Sequence, residues 1–113
     1  MSIDERFVDA FDDLSEEIHQ TAKDKGWHDE PRSFGDLIAL CHSELSEALE
    51  AYRSGNKQDK HIPEFSGVEA ELADVVIRIM DMAPKLDLDV SGAIVAKSEY
   101  NKTRPHRHGG KVI

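Results

Sequence analysis

The segment from Glu69 to Ala83, EAELADVVIRIMDMA, constrains the fold of this chain more than any other part of the sequence. At about 100° per residue, a helix built from it is apolar on two sides. The one polar strip that interrupts this surface holds Glu71, Asp74, Arg78 and Asp81. A helix with two apolar sides is buried on both, so we expect one side to face a bundle core and the other to face a second subunit.

Four segments of the chain have helical periodicity, and no segment shows the convincing alternation of a strand. The predicted helices run from about Ile3 to Lys25, from about Phe34 to Arg53, from about Val68 to Leu86, and from Asp89 or Ser91 to a point before Pro105. Ser33 is a possible N-cap of the second helix. The sequence therefore predicts a single all-α domain over residues 1–113, folded as a helical bundle of four main helices.

Charge and composition narrow the classes of function. The net charge is −9 over 113 residues, which argues against binding to a nucleic acid polymer, because phosphate backbones need a basic surface. No apolar run approaches the ~20 residues of a membrane span, the first residues lack a signal-peptide pattern, and Cys41 is the only cysteine. We expect a cytoplasmic protein with no membrane partner.

Acidic residues recur at every third position in the second helix, within HSELSEALEAYRSG. On a helical projection Glu44 lies inside the apolar arc, Glu47 lies at its border about 60° away, and Glu50 falls among polar residues. Glu44 and Glu47 are therefore predicted to face inward, and Glu50 is predicted to face solvent.

The third helix repeats this inward acidic pair with Glu71 and Asp74. If the second and third helices are antiparallel neighbours, Glu44, Glu47, Glu71 and Asp74 converge. Buried carboxylates are costly unless they are paired or bind a metal, and four hard oxygen ligands suit Mg²⁺ or Mn²⁺. The alternative is that these acids form ordinary surface or interhelical salt bridges.

The fourth helix places Lys97, Asn101 and Arg104 within one arc of about 80°. Cationic side chains on the inward face of a bundle suggest an anion held against the acidic residues. The alternative is that these side chains pair directly with the acids or extend to solvent.

These motifs, in this order, resemble those of the MazG-like all-α nucleoside triphosphate pyrophosphohydrolase superfamily. The matching pieces are Glu44-Leu-Ser-Glu47, Glu71-Leu-Ala-Asp74 and Lys97-Ser-Glu-Tyr-Asn101-Lys-Thr-Arg104. The resemblance extends from about Trp27 to Lys111, nearly the whole chain. Some members of the superfamily carry a further glutamate directly before the first motif, where this chain has Ser43.

The resemblance implies hydrolysis of a nucleoside triphosphate between its α and β phosphates, giving monophosphate and pyrophosphate. It implies that Glu44, Glu47, Glu71 and Asp74 are the catalytic metal ligands for Mg²⁺. Lys97, Asn101 and Arg104 become candidates for phosphate contacts, and Trp27 and His28 become candidates for nucleobase binding. Single-domain members usually form homodimers or homotetramers.

Two other functions stay open at this stage. Phosphoribosyl-ATP pyrophosphohydrolase has a similar fold and metal motif, although the segment around Trp27 and the C-terminal HGGK fit the MazG-like group better. A non-catalytic helical module that binds metal or nucleotide is the second alternative, and a costly inward acidic cluster argues against it. The preferred base and the carboxylate that activates water are not readable from the sequence.

Overall fold

The computed structural model describes all 113 residues and is built from α-helices, with one isolated β-bridge between Gln58 and Ser66. The helices are α1 (Ile3–Asp24), α2 (Phe34–Arg53), α3 (Gly67–Lys85), α4 (Val90–Lys102) and the short α5 (Arg107–Gly110). The prediction of an all-α chain with four main helices is confirmed. The predicted bounds of α2 match, those of α1 differ by one residue at the C-terminal end, and those of α3 differ by one residue at both ends. None of the helices combines the length and the apolar character that a bilayer crossing requires.

Side-chain caps fix where the helices begin. Ser2, Ser33 and Ser66 each form a capping box, in which the serine hydroxyl accepts from a backbone N–H three residues on, and an acidic side chain there accepts in return. Ser33 is therefore the N-cap that the sequence predicted. At α4 the side chain of Asp89 accepts from the Gly92 N–H, whereas Ser91 lies inside the helix.

Helices α2 and α3 are antiparallel neighbours, as the order of their contacts shows. Glu44 contacts Arg78, and Leu37, nearer the start of α2, packs in a cluster with Met82, nearer the end of α3. At the other end of the pair, a β-carbon added to Gly67 would lie only 3.1 Å from that of Ala51. This close approach brings the polar strip of α3 against the acidic side of α2.

Helix α1 packs against α3, and α4 packs against α1. Ser91, at the start of α4, is fully buried, and its hydroxyl donates a 2.7 Å hydrogen bond to the Asp12 carboxylate on α1. The connection from α3 to α4 is short, and α4 packs mainly against α1 rather than against the α2–α3 pair.

The chain exposes an unusually large surface for its size. Its accessible area is 8519 Å², whereas a folded monomer of 12.7 kDa is expected to expose about 6,200 Å². The radius of gyration, 16.5 Å, also exceeds the roughly 13 Å expected for a compact chain of this length. One chain alone therefore leaves much of its surface uncovered.

Apolar side chains make up a large part of this excess. Leu45, Leu49 and Tyr52 follow one side of α2 at helical spacing, and Leu72 and Val76 lie on α3; each is at least 47% exposed. This matches the expectation that α3 has a second apolar side that the bundle of one chain does not cover.

Candidate functional site

Three carboxylates meet between α2 and α3. Glu44 from α2 and Glu71 and Asp74 from α3 each place an oxygen so that all three atoms lie within 4.8 Å of one another. The i, i+3 spacing puts Glu71 and Asp74 on the same side of α3, and the antiparallel packing puts Glu44 opposite them. We call these three residues the acidic trio.

Arg78 lies one helical turn beyond Asp74 and binds one member of the acidic trio. Its Nε and Nη2 donate hydrogen bonds of 3.1 and 2.9 Å to the same oxygen of Glu44, Oε1. One guanidinium balances one of the three carboxylates, so the trio still carries excess negative charge.

Desolvation and the neighbouring negative charges raise the pKa of two carboxyl groups. Burial, a hydrogen bond with Glu44, and the charges of Glu44, Asp74 and Glu47 raise the pKa of Glu71 to about 7. Asp74 remains exposed, but partial desolvation of its carboxyl group and the charge of Glu44 raise its pKa, although Arg78 opposes this change. A bound cation would remove the repulsion that contributes to both shifts.

Glu47, the fourth predicted metal ligand, is exposed and lies outside the acidic trio. Its position at the border of the apolar arc explains this, because a side chain there reaches solvent more easily than one inside the arc. The negative charge of Glu47 still contributes to the raised pKa of Glu71. The structure therefore brings together three of the four predicted acids.

A cavity of about 450 Å³ opens beside the acidic trio and is lined by residues of α1, α2, α3 and the loop after α1. Asp74, Arg78 and Asp81 line it from α3, at i, i+4 and i+7. At 1.5 Å rise per residue, about 10.5 Å of helix separates Asp74 from Asp81. The cavity thus extends from the acids toward the loop that carries Trp27 and His28.

At the far end of the cavity, two histidine side chains contact the carboxylate of Asp81. His19 Nδ1 lies 2.8 Å from Asp81 Oδ1, and His28 Nε2 lies 2.9 and 3.0 Å from the two oxygens of the same carboxylate. The two imidazole rings are 4.9 Å apart. His28 is therefore held by Asp81 at the cavity wall, while its Nδ1 is buried with no hydrogen-bond partner.

Trp27 lines the same end of the cavity and is 53% exposed. The guanidinium of Arg32 lies 5.8 Å from the centre of its ring, and Arg32 Nε donates a 3.4 Å hydrogen bond to the Trp27 carbonyl. The exposed ring offers a flat apolar face to a ligand in the cavity. The structure thus places both predicted base-binding residues, Trp27 and His28, beside one cavity.

The predicted phosphate contacts lie elsewhere in the chain. Lys97, Asn101 and Arg104 do not line the cavity, and Lys97 and Asn101 are exposed. Lys97 Nζ and the Arg104 guanidinium lie 5.3 and 5.6 Å from the ring of Tyr100 on their own helix. The expected inward position of α4 against the acids is not found within one chain, because α4 packs along α1.

No protein-family model matches this sequence, and no curated protein or solved structure is significantly similar to the chain. The acidic trio and the cavity are therefore the features that bear on function. Three oxygen donors without nitrogen or sulfur suit a hard cation such as Mg²⁺. A cavity with carboxylates at one end and an exposed aromatic ring at the other suits an elongated anionic ligand once a cation neutralises the carboxylates.

The sequence indicated Arg78 and Asp81 only as members of the polar strip on α3, and it gave no role to His19. Arg78 and Asp81 follow Asp74 at one and two helical turns, which is the signal that could have placed them along the cavity. His19 precedes its partner by 62 residues, and no local pattern relates the two.

The raised pKa of Glu71 predicts how metal-free protein responds to pH. The folded state favours protonated Glu71 up to about pH 7, whereas the unfolded chain ionises it near pH 4.5. Stability from this group is complete below pH 4.5 and is lost as pH rises toward 7. We expect Glu71→Gln to raise the metal-free melting temperature at about pH 8, and to reduce the further rise that Mg²⁺ gives the wild type.

Glu50→Gln is the matched control, because Glu50 lies on the same acidic helix but is exposed and accepts a hydrogen bond from Ser54. Melting curves of both variants between about pH 5 and 8, with and without Mg²⁺, provide the measurement. Equal pH dependence in wild type and Glu71→Gln would contradict the electrostatic account of the acidic trio.

Proposed function

We propose that this chain is a Mg²⁺-dependent nucleotide pyrophosphohydrolase of the MazG-like superfamily, acting in the cytoplasm. It would cleave nucleoside triphosphates between the α and β phosphates and release monophosphate and pyrophosphate. The observation that carries the proposal is the acidic trio at one end of a cavity whose other end holds Trp27. The order of the motifs in the sequence, which include the residues of the trio, also supports the proposal.

The acidic trio fits a magnesium ion by its donor set. Glu44, Glu71 and Asp74 provide carboxylate oxygens, and both burial and the charges of its neighbours raise the pKa of Glu71 in the metal-free protein. Glu47 lies near enough for its charge to raise the pKa of Glu71, and it is the fourth proposed ligand. Mg²⁺ bound there would neutralise phosphate charge and make a bound water more acidic.

The remaining residues bind and orient the substrate in this proposal. Arg78 holds Glu44 by two hydrogen bonds and adds positive charge beside the phosphates. Trp27 stacks on the base, and His28 lies beside it at the cavity wall. Hydrolysis adds the water oxygen to the α-phosphorus, breaks the bond from that atom to the bridging oxygen, and releases pyrophosphate with the proton taken up by solvent or a carboxylate.

A homodimer or homotetramer is part of the proposal. The excess exposed area, about 2,300 Å² per chain by comparison with a compact monomer, falls in the range buried by obligate interfaces. A second copy would cover the apolar sides of α2 and α3. Phosphate contacts from Lys97, Asn101 and Arg104 require that α4 of one subunit reaches the acidic trio of another.

A panel of the common NTPs and dNTPs with Mg²⁺ tests the activity. We expect monophosphate and pyrophosphate as products, with ¹⁸O from labelled water in the monophosphate. Glu71→Gln and Asp74→Asn should lower kcat/KM by more than about 100-fold, since even loss of an outer-shell partner costs roughly 10–100-fold. Glu50→Gln should keep wild-type activity, because Glu50 is exposed and outside the trio.

The proposal is wrong if no nucleotide is turned over, and tight Mg²⁺-dependent binding without turnover would favour a non-catalytic module instead. Release of diphosphate and inorganic phosphate would contradict cleavage between the α and β phosphates. Preference for phosphoribosyl-ATP over all triphosphates would favour the alternative enzyme of similar fold.

Trp27 is the only tryptophan, so its fluorescence reports on the cavity directly. We expect a non-hydrolysable triphosphate to quench this fluorescence. Trp27→Ala should weaken nucleotide binding by about 5–150-fold, because stacking contributes about 1–3 kcal/mol per base. Tripolyphosphate, which has no base, should bind both proteins equally; an equal loss for tripolyphosphate would show that Trp27 does not contact the base.

Subunit mixing tests the assembly. Sedimentation equilibrium should give a dimer or tetramer, because a monomer leaves the apolar sides of α2 and α3 exposed. If sites are shared, mixing inactive Glu71→Gln chains with inactive Arg104→Ala chains should restore part of the activity, since hybrid oligomers contain intact sites. A monomer at micromolar concentration would contradict the assembly, and an oligomer without restored activity would contradict a phosphate contact from Arg104.

A further inference from the structure

The cluster of His19, His28 and Asp81 brings together side chains from three elements of the fold. His19 lies on α1, His28 lies in the loop between α1 and α2, and Asp81 lies on α3. One ligand atom from each lies within 4.8 Å of the other two, and all three residues are half-buried. The proposed pyrophosphohydrolase activity uses neither His19 nor Asp81.

The donor atoms lie nearly where a metal ion would need them. Zinc bonds to nitrogen and carboxylate oxygen are about 2.0–2.2 Å long, so neighbouring ligand atoms in a tetrahedron lie roughly 3.3 Å apart. His19 Nδ1 and His28 Nε2 lie 2.8 and 2.9 Å from Asp81 Oδ1. An ion would therefore have to separate each nitrogen from Asp81 Oδ1 by about 0.4–0.5 Å and turn both rings from that oxygen toward the ion.

Two imidazoles share the single carboxylate of Asp81, and the His28 side chain is only 9% exposed. The second ring nitrogen of His28, Nδ1, is buried without a hydrogen-bond partner. Because Nδ1 points away from Asp81, an ion at Nε2 would not contact it and would leave the ring proton there. The case for a metal ion therefore rests on the three donor atoms that meet at one point.

We propose that His19 Nδ1, His28 Nε2 and the carboxylate of Asp81 bind one divalent transition-metal ion of the zinc type. Imidazole nitrogen favours such ions over Mg²⁺, whereas the all-oxygen acidic trio has the opposite preference. The chain then has two metal sites of different selectivity, separated by two turns of α3.

Metal binding would remove the protons from the two ring nitrogens that coordinate the ion. A coordinating ring nitrogen must be free of its proton, so the ion takes the place of the hydrogens between the imidazoles and Asp81. His28 and Asp81 also line the cavity, so a fourth coordination position is open to water or to a ligand atom from it.

Zinc titration in excess Mg²⁺ tests the proposal, because Mg²⁺ occupies the acidic trio. Protein first stripped with a chelator should remove one Zn²⁺ per chain from a chromophoric indicator. His28→Gln and Asp81→Asn should each weaken this binding by more than about 100-fold, since loss of an outer-shell partner alone costs roughly 10–100-fold. Co²⁺ should give visible absorption bands in wild type that His19→Gln removes.

Two controls separate this site from other zinc ligands on the chain. The double variant His106→Gln, His108→Gln removes the exposed C-terminal histidines and should bind zinc as wild type does. Glu71→Gln should also keep zinc binding while losing magnesium binding, so failure of the zinc site and failure of the proposed enzyme are separate results. Circular dichroism identifies any of the three cluster variants that does not fold, and metal binding by the other two then tests the proposal.

Unchanged zinc affinity in folded His28→Gln and Asp81→Asn proteins would overturn the proposal. Loss of binding in the C-terminal double variant would overturn it as well, because the ion would then lie at exposed histidines. The absence of stoichiometric zinc binding to wild type would show that the cluster is only a hydrogen-bonded link between α1 and α3.

Discussion

The antiparallel contact between α2 and α3 is the constraint on which the site depends. Gly67 allows the two backbones to approach, because any larger side chain there would meet Ala51. This approach carries Glu44 to the polar strip of α3, where Arg78 binds it with two donors. Both side chains of this ion pair are partly exposed, and the pair links α2 to α3 midway along their contact.

The same contact brings carboxylates close together, and this arrangement lowers the stability of the metal-free fold. Three carboxylates meet beside one guanidinium, and burial together with the neighbouring carboxylates raises the pKa of Glu71 to about 7. A protein selected only for stability would place apolar residues at such positions, since well-packed apolar side chains commonly replace buried charges without loss. The arrangement is consistent with a binding site whose strain is relieved by a cation.

Local patterns in the sequence were sufficient for the helices and for most of the acidic trio. Ser33 marked the start of α2, and the helical projection put Glu44 and Glu71 at positions that are partly buried. Asp74, also predicted to face inward, joins the trio but remains exposed. Glu47 was harder to place, because a residue at the border of an apolar arc can turn to either environment. Its exposure in the structure depends on the rotation of α2 against α3, which periodicity does not determine.

The sequence pattern did not predict which helices contact each other or which residues far apart in the chain meet. The projection of α4 identified a shared face for Lys97, Asn101 and Arg104, but not the helix that this face would meet. Ser91 and Asp12, 79 residues apart, bind α4 to α1 instead. The cluster around Asp81 has the same character, because its histidines come from a different helix and a loop whose positions depend on the packed fold.

The straight polar strip of α3 gives the cavity a fixed length. Because Asp74 and Asp81 belong to one continuous helix, the distance between the acidic end and the aromatic end changes little when neighbouring loops move. In the proposed function, a ligand that spans about 10 Å would engage both ends at once, and its second contact would form at a high effective concentration. A free phosphate or a free base would contact one end only, so the length of α3 between the two ends would favour ligands that are long enough to reach both.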